Sequence, residues 1–407
     1  MGYRPYSPPI LEGLVLWAIW LLRLESQQLR GCLAEVASQF RTAGGPYLYA
    51  RVAFGPFAAI QIGWLTWLTR IVASAAAADL FVSYLSQFFP KVVAGAVRAM
   101  VLGLLVAIPA VANYVGVTSG TRLSDLFTTT KVLVVLLFIA AGLMALLLHP
   151  AVRVAPQAMS VTSGDWLEAV LLMINSFGGF EAALFLSGET RDPRKDTPIA
   201  LLIALATATF LYVAVQYIVI HTLPTATTAA KPVADAAQQF LGRFGASLIA
   251  AGALISGYGY LSANMLHTPR LTFAMGEQRD FPAFFAAVHP RFRTPYVSIV
   301  VFAVLVVIFS VAGSFQWNAT LSALSRLFIY ASIAAALPVL RRKQPHGDAF
   351  RLPAGMFFVV LALLFTGTLV TRIRLGGLMV LAVTFALALL NWLWTAQYPR
   401  TPPGARA

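Results

Sequence analysis

The run Met173 to Pro198, MINSFGGFEAALFLSGETRDPRKDTP, holds the residues with the most chemistry to offer. Gly178 and Gly179 interrupt an apolar helical pattern near its middle, and the carboxylate Glu181 follows at once. Glycine weakens a helix interior by about 1 kcal/mol relative to alanine, so an adjacent pair predicts local unwinding. Unwound backbone in a bilayer survives only where it is buried in protein or lines a cavity. Ser176, Phe177, Gly178, Gly179 and Phe180 are therefore candidate substrate-binding residues, whose freed amides and carbonyls can meet the charged ends of a small molecule. The competing reading is a close helix crossing, which glycines also permit. Glu181, an ionisable residue at membrane depth, is a candidate for proton coupling or gating. Its plainer role is a hydrogen bond to a neighbouring helix.

Other polar residues inside apolar runs are weaker candidates. Arg70 lies one helical turn after Thr66, and it either forms a structural ion pair or faces a substrate pathway. Tyr258, Tyr260 and Ser262 share another apolar run, where aromatic residues more often only pack. Lys131 opens an apolar run after Phe127-Thr128-Thr129-Thr130; read alone, such a lysine snorkels to the interface. The charged stretch Glu189 to Asp196 reads as a solvated turn. The 5 histidines are scattered without metal-ligand spacing, and Cys32 is the only cysteine, which excludes an intrachain disulfide or cysteine cluster. No GxxxxGK[ST] run supports drive by a nucleotide, so neither a cofactor nor a metal is expected.

The elements that must position these residues are membrane helices. The 407 residues are 59% hydrophobic and 11% charged, with a mean hydropathy of +0.78, against about 25% charged for soluble domains. The formal charge of +14 does not point to nucleic acid, because the basic residues lie in short loops between apolar runs. Candidate spans cover about 54–88, 98–115, 123–148, 165–187, 198–221, 241–275, 295–311, 320–340, 355–370 and 376–395. A first span, about 10–40, is damaged by Arg23, Glu25 and Arg30 in its middle; a signal peptide over Pro9 to Leu22 is disfavoured by the missing cleavage site. Thr42 to Arg51 reads as a glycine- and proline-marked loop. Counting basic residues in alternate loops gives roughly 17 against about 8 and places the C-terminus in the cytoplasm.

Three stretches carry a family resemblance. Leu33 to Trp64 (LAEVASQFRTAGGPYLYARVAFGPFAAIQIGW) resembles the second-to-third helix segment of amino acid–polyamine–organocation (APC) superfamily permeases. SFGGFEAALFLSGETRDPRKDTP resembles their sixth helix and the loop after it, and Pro269 to Pro295 the loop after their eighth. The resemblance implies an all-α, polytopic membrane protein of about 11 transmembrane helices with a LeuT-like five-plus-five inverted repeat. Residues 10–148 would be what remains of the first repeat (helices 2–5), 164–340 the second (helices 6–10), and 354–396 two additional helices. It also implies transport of amino acids or related amines across the cytoplasmic membrane, bacterial in type, by proton-coupled symport or by exchange. Substrate would bind between the broken helix and the helices of Thr66 and Tyr258. In some proton-coupled members a lysine at the place of Lys131 stands where relatives bind sodium. The glycine-rich break of the family's first helix has no counterpart here, which leaves a non-transporting remnant and an amino acid sensor as rival expectations.

Overall fold

The structure is a computed structural model that describes residues 32, 35–36, 39–40, 45–116, 121–154, 163–179, 193–224, 229–343, 352, 354–371 and 375–397. The expected first span before residue 32 and the candidates Phe180 and Glu181 lie outside the described residues. Among the described residues the apolar runs fold as eleven α-helices: α1 Gly45–Phe54, α2 Pro56–Leu85, α3 Gly95–Val115, α4 Thr121–Leu148, α5 Ser163–Ser176, α6 Pro193–Thr222, α7 Pro232–Glu277, α8 Tyr296–Ala312, α9 Phe315–Lys343, α10 Gly355–Val370 and α11 Leu375–Ala396. No strand occurs among the described residues. In lipid every backbone polar group must be satisfied within the chain, and a helix does this locally. Seven of these helices are long and apolar enough to cross a membrane, and α8 and α10 are shorter apolar helices of 17 and 16 residues.

Most expected spans reappear with ends shifted by a few residues; the one expected over 241–275 begins earlier, at Pro232, and the one expected over 165–187 is helical to Ser176, with 180–187 outside the described residues. The supposed loop at Thr42 to Arg51 needs correction. Gly45 to Phe54 is helical. Its glycine and proline stand at the helix start, where Gly45 takes a positive φ of 54° and Pro46 needs no amide partner. Gly55 (φ 90°) and Pro56 then repeat the device, ending α1 and starting α2. The first part of α7 also bends, at Gly242 with φ 63° and ψ −156°.

Helix α2 is the hub. Ile62, Leu65, Leu68 and Val72 lie on one face and pack with Leu324, Leu327 and Ile333 of α9 and with Val170 and Leu171 of α5. Trp67, Ile71, Ala78 and Val82 lie on the opposite face and pack with Met265 and Met275 of α7, Leu102 of α3 and Phe302 of α8. A third cluster joins α4, α6 and α7 through Phe138, Ile218 and Ile249. Outward-facing Leu147, Phe210, Leu364 and Trp394 are more than half exposed, as side chains turned to lipid are.

The pair α2–α9 runs antiparallel, with one hydrogen bond between the two helices near the end of α2 and two from the end of α9 to the preceding helix α1. Asn318 Nδ2 donates to Asp79 Oδ2 at 3.1 Å, and Lys343 Nζ donates to the carbonyls of Val52 and Ala53 at 3.0 Å. Small residues between these ends, Ala75 and Ala76 on α2 and Ala323 on α9, are buried and let the two backbones approach.

Candidate functional site

The helix of Met173 does break where the glycines predict. Phe177 N–H still reaches Met173 O at 2.8 Å, but Gly178 N–H bonds Asn175 O at 3.0 Å, a tightened i−3 turn. Gly179 then adopts φ 110°, a conformation that favours glycine. Ser176 Oγ donates to Leu172 O at 2.9 Å, while the freed carbonyl of Ser176 accepts a hydrogen bond from Tyr212 Oη at 3.0 Å. The Phe177 and Tyr212 rings meet at 5.1 Å between centroids. Two adjacent helices, α5 and α6, thus share the break.

The wall behind the break is an arginine. A Cβ placed on Gly178 would lie 1.1 Å from Arg326 Nη1 and 2.0 Å from its Cζ. Arg326 comes from the middle of α9 and is 2% exposed. Gly178 is a glycine because a guanidinium occupies the space of its missing side chain. The sequence reasoning missed Arg326, although an arginine inside a 29-residue apolar helix is itself a signal.

The remaining candidates divide. Thr66 is buried and its Oγ1 donates to Ile62 O at 2.7 Å, so its hydroxyl is satisfied by its own helix. Tyr258 packs edge-on against Phe127 of α4, with ring centroids 5.9 Å apart. Lys131 is exposed and makes no hydrogen bond or ion pair among the described residues. Arg70, half-buried, likewise makes neither. The structure does not bring Lys131, Tyr258 and the break into one contact set among the described residues.

Three further polar networks escaped the sequence because each joins residues far apart in the chain. At one end of α2, Asp79 accepts from Arg98 Nη2 of α3 at 2.6 Å and from Asn318 of α9. Arg98 Nη2 also donates to Ser310 O of α8 at 2.9 Å. At the other end, Asp280 is fully buried and accepts from Tyr47 Oη and from Arg51 Nη1, the latter at 2.5 Å. Burial, and then the Asp280 carboxylate, push the Tyr47 phenol upward, so it stays a proton donor. Asn391 of α11 donates to Asp280 O at 2.6 Å. In the third network Glu35 pairs with Arg341 through both carboxylate oxygens at 2.7 Å and accepts from Leu352 N–H at 2.8 Å. No group of His, Cys, Asp and Glu able to hold a metal occurs among the described residues.

A polytopic helical protein in which helix α5 stops at paired glycines beside a buried charge is built as a membrane transporter rather than as an enzyme. Residues 14–393 match the family model described as amino acid permease, and the chain belongs to that family, within the APC superfamily. It is similar to the methylthioribose transporter of Bacillus subtilis (28% identical, covering 79% of this chain and 72% of that protein). It is similar also to the branched-chain amino acid permease BcaP (28%, 82% and 75%) and the serine/threonine exchanger SteT (27%, 83% and 80%) of the same organism. The chain is therefore an integral membrane transporter of small molecules.

Proposed function

We propose that the chain is a secondary active permease for amino acids or related amines, working by alternating access. The observation that carries this reading is the break itself: α5 ends at Ser176, Gly178 tightens the turn against Arg326, and Gly179 leaves helical conformation. Half-helix ends present partial charges that suit the ammonium and carboxylate of an amino acid. Ser176, Phe177, Gly178, Gly179 and Phe180 would hold the backbone of the substrate, with Thr66 and Tyr258 lining the approach. Glu181 and Lys131 would carry proton coupling or gating. Residues 10–148 and 164–340 would form the two inverted repeats, followed by 354–396, in a bacterial cytoplasmic membrane with the C-terminus inside. Relatives named for branched-chain amino acids and for serine/threonine exchange support substrates of this class, moved by exchange or, in the alternative, with protons.

The test is uptake of a mixed set of radiolabelled amino acids into proteoliposomes, with and without an imposed pH gradient. Saturable uptake is expected, reduced at least tenfold in Glu181→Gln. Stimulation by an inward proton gradient that disappears in Lys131→Ala would assign proton coupling; uptake that requires loaded internal amino acid would assign exchange. Absence of flux for every amino acid, with a folded protein, overturns the permease reading.

A further inference from the structure

The segment between α7 and α8 carries two exposed arginines, Arg291 and Arg293, on either side of Phe292. Hydrogen bonds hold it in one shape. His289 N–H donates to Thr294 O at 2.8 Å, and Arg293 N–H donates to His289 O at 3.0 Å. The His289 ring accepts at Nδ1 from the N–H groups of Arg291 and Phe292, both at 3.2 Å. Thr294 Oγ1 donates to Tyr114 O at 2.7 Å, which fastens the segment to the last turn of α3. Gly116, the left-handed cap of α3 (φ 82°), lies against it: a Cβ there would meet Phe292 O at 3.5 Å.

Arg293 has φ 57°, in the left-handed region where an L side chain costs free energy that glycine avoids. A strained backbone at an arginine points to a use for its charge. The Arg291 guanidinium lies 5.5 Å from the centre of the Phe292 ring. His289 stacks on Phe292 at 4.9 Å, and Tyr114 meets Tyr296 edge-on at 6.3 Å. Tyrosines gathered at a helix end in this way suit the boundary between membrane and water.

The helices that lead away from this segment offer an apolar wall. α3 and α8 pack together through Leu102 and Phe302, and each turns a stripe outward. Leu104, Ile108 and Val111 on α3, and Val300, Val304 and Ile308 on α8, are all roughly half exposed or more. Steps of three and four residues keep each stripe on one side of its helix. From Gly95 to Val115 the sequence holds no acid, and from Gln278 to Ala312 it holds only Asp280. That carboxylate is fully buried and faces Tyr47 and Arg51, so it does not offset the exposed arginines.

We propose that this edge of the molecule binds an anionic phospholipid. Its headgroup phosphate meets Arg291 and Arg293, and its acyl chains lie along the outward stripes of α3 and α8. Guanidinium groups suit phosphate oxygens because the planar fork donates two hydrogen bonds at once. Choline and ethanolamine headgroups bring a cation of their own, which the two arginines repel; a headgroup of net negative charge does not. The site shares no residue with the break at Gly178 and needs no assignment of which side is cytoplasmic.

The experiment extracts the protein from vesicles of phosphatidylcholine and phosphatidylglycerol in equal shares and counts the lipid that co-purifies. Phosphatidylglycerol is expected to be enriched over phosphatidylcholine. A basic residue near an anionic surface contributes about fivefold, so Arg291→Gln and Arg293→Gln should each cut the enrichment about fivefold, and the double variant about 25-fold. Arg293→Gly should lose the lipid equally while keeping or raising thermal stability in detergent, because glycine relieves the backbone. Arg342→Gln removes an equally exposed charge on the same side of the molecule, where Lys343 meets α1 and α1 meets Asp280, and should leave the enrichment unchanged. Equal retention of the two lipids by the parent chain overturns the inference. An equal loss in Arg342→Gln overturns it too, because general charge would then explain the enrichment. Displacement of phosphatidylglycerol by inorganic phosphate would make the ligand a free anion and overturn the lipid. Should a glutamine variant fail to fold, Arg293→Gly and the parent ratio still decide.

Discussion

Replacing Gly178 by alanine isolates the contact on which the site is built. Gly178 is not among the positive-φ residues, so its backbone raises no objection to alanine. The objection comes from Arg326, whose Nη1, Cζ and Nη2 would lie 1.1, 2.0 and 2.8 Å from the new methyl carbon. Ordinary contact needs roughly 3.5 Å, so the guanidinium must withdraw by about 2.4 Å. All three fork atoms are involved, and a rotation of the planar group about its own axis does not clear them. Arg326 is 2% exposed, so the space it would retreat into is already occupied. Overpacking of this kind costs about 1–3 kcal/mol.

The measurement is a double-mutant cycle, read by reversible unfolding in mixed micelles as the fraction of denaturing detergent rises. Arg326→Met keeps the unbranched stem and removes the fork. Gly178→Ala is expected to lose about 1–3 kcal/mol in the parent chain and close to nothing in the Arg326→Met background, a coupling well above the roughly 0.5 kcal/mol seen between independent sites. Additive losses would refute the packing of Arg326 on the break, and with it the account of why residue 178 is glycine.

Other outcomes follow from the buried networks. Asp280→Ala strips Tyr47 and Arg51 of a fully buried acceptor and is expected to cost about 3–5 kcal/mol, whereas Tyr47→Phe, which leaves the Arg51–Asp280 pair, costs about 1 kcal/mol. Asp79→Ala is expected to lose about 3 kcal/mol, because it leaves Arg98 and Asn318 facing a vacated position; unfolding midpoints beside Asp79→Asn, which can keep one hydrogen bond, check this. Two glycine substitutions should differ in sign. Gly276→Ala meets the backbone nitrogen of Ala286 at 2.9 Å and should destabilise by about 1–3 kcal/mol. Gly367→Ala, inside α10, meets nothing within 4 Å and should stabilise by up to about 1 kcal/mol in the same unfolding assay.

The helices were legible because hydrophobic runs and glycine or proline punctuation are local. The run read as 355–370 is α10 with the same ends, and the double glycine marked the place where α5 stops. Gly45-Pro46 misled because the same two residues that signal a loop also start helices, and only the following residues decide. The networks were illegible because their partners lie 239 residues apart for Asp79 and Asn318, 233 for Tyr47 and Asp280, and 306 for Glu35 and Arg341. Which acid meets which base depends on the antiparallel register of helices, and no periodicity encodes that. Arg326 is a different case. Assigning basic residues to loops leaves Arg23, Arg30, Arg70 and Arg326 inside apolar runs. One of these four, Arg326, stands against Gly178 in the fold, so the signal was present as a remainder.

The placement of paired and unpaired charge along α2 separates what holds still from what must answer a ligand. At one end the Asp79 carboxylate ties α2 to α3 and α9; beyond the other end, Asp280 ties α1 to the segment after α7 and, through its carbonyl, to α11. Removing one partner of a buried pair costs about 3–5 kcal/mol, which makes these ties poor places for a conformational change to begin. The α2–α9 face between them is closed by small and apolar side chains at close range, an arrangement that resists gradual sliding. The breaks, by contrast, fall where glycine alone sustains the backbone, at Gly179 after α5 and at Gly242 within α7. Arg70, which makes no hydrogen bond or ion pair among the described residues, lies on α2 between its start at Pro56 and the Asp79 tie. A half-buried guanidinium without such a tie is the place along α2 where a change of local charge is felt most.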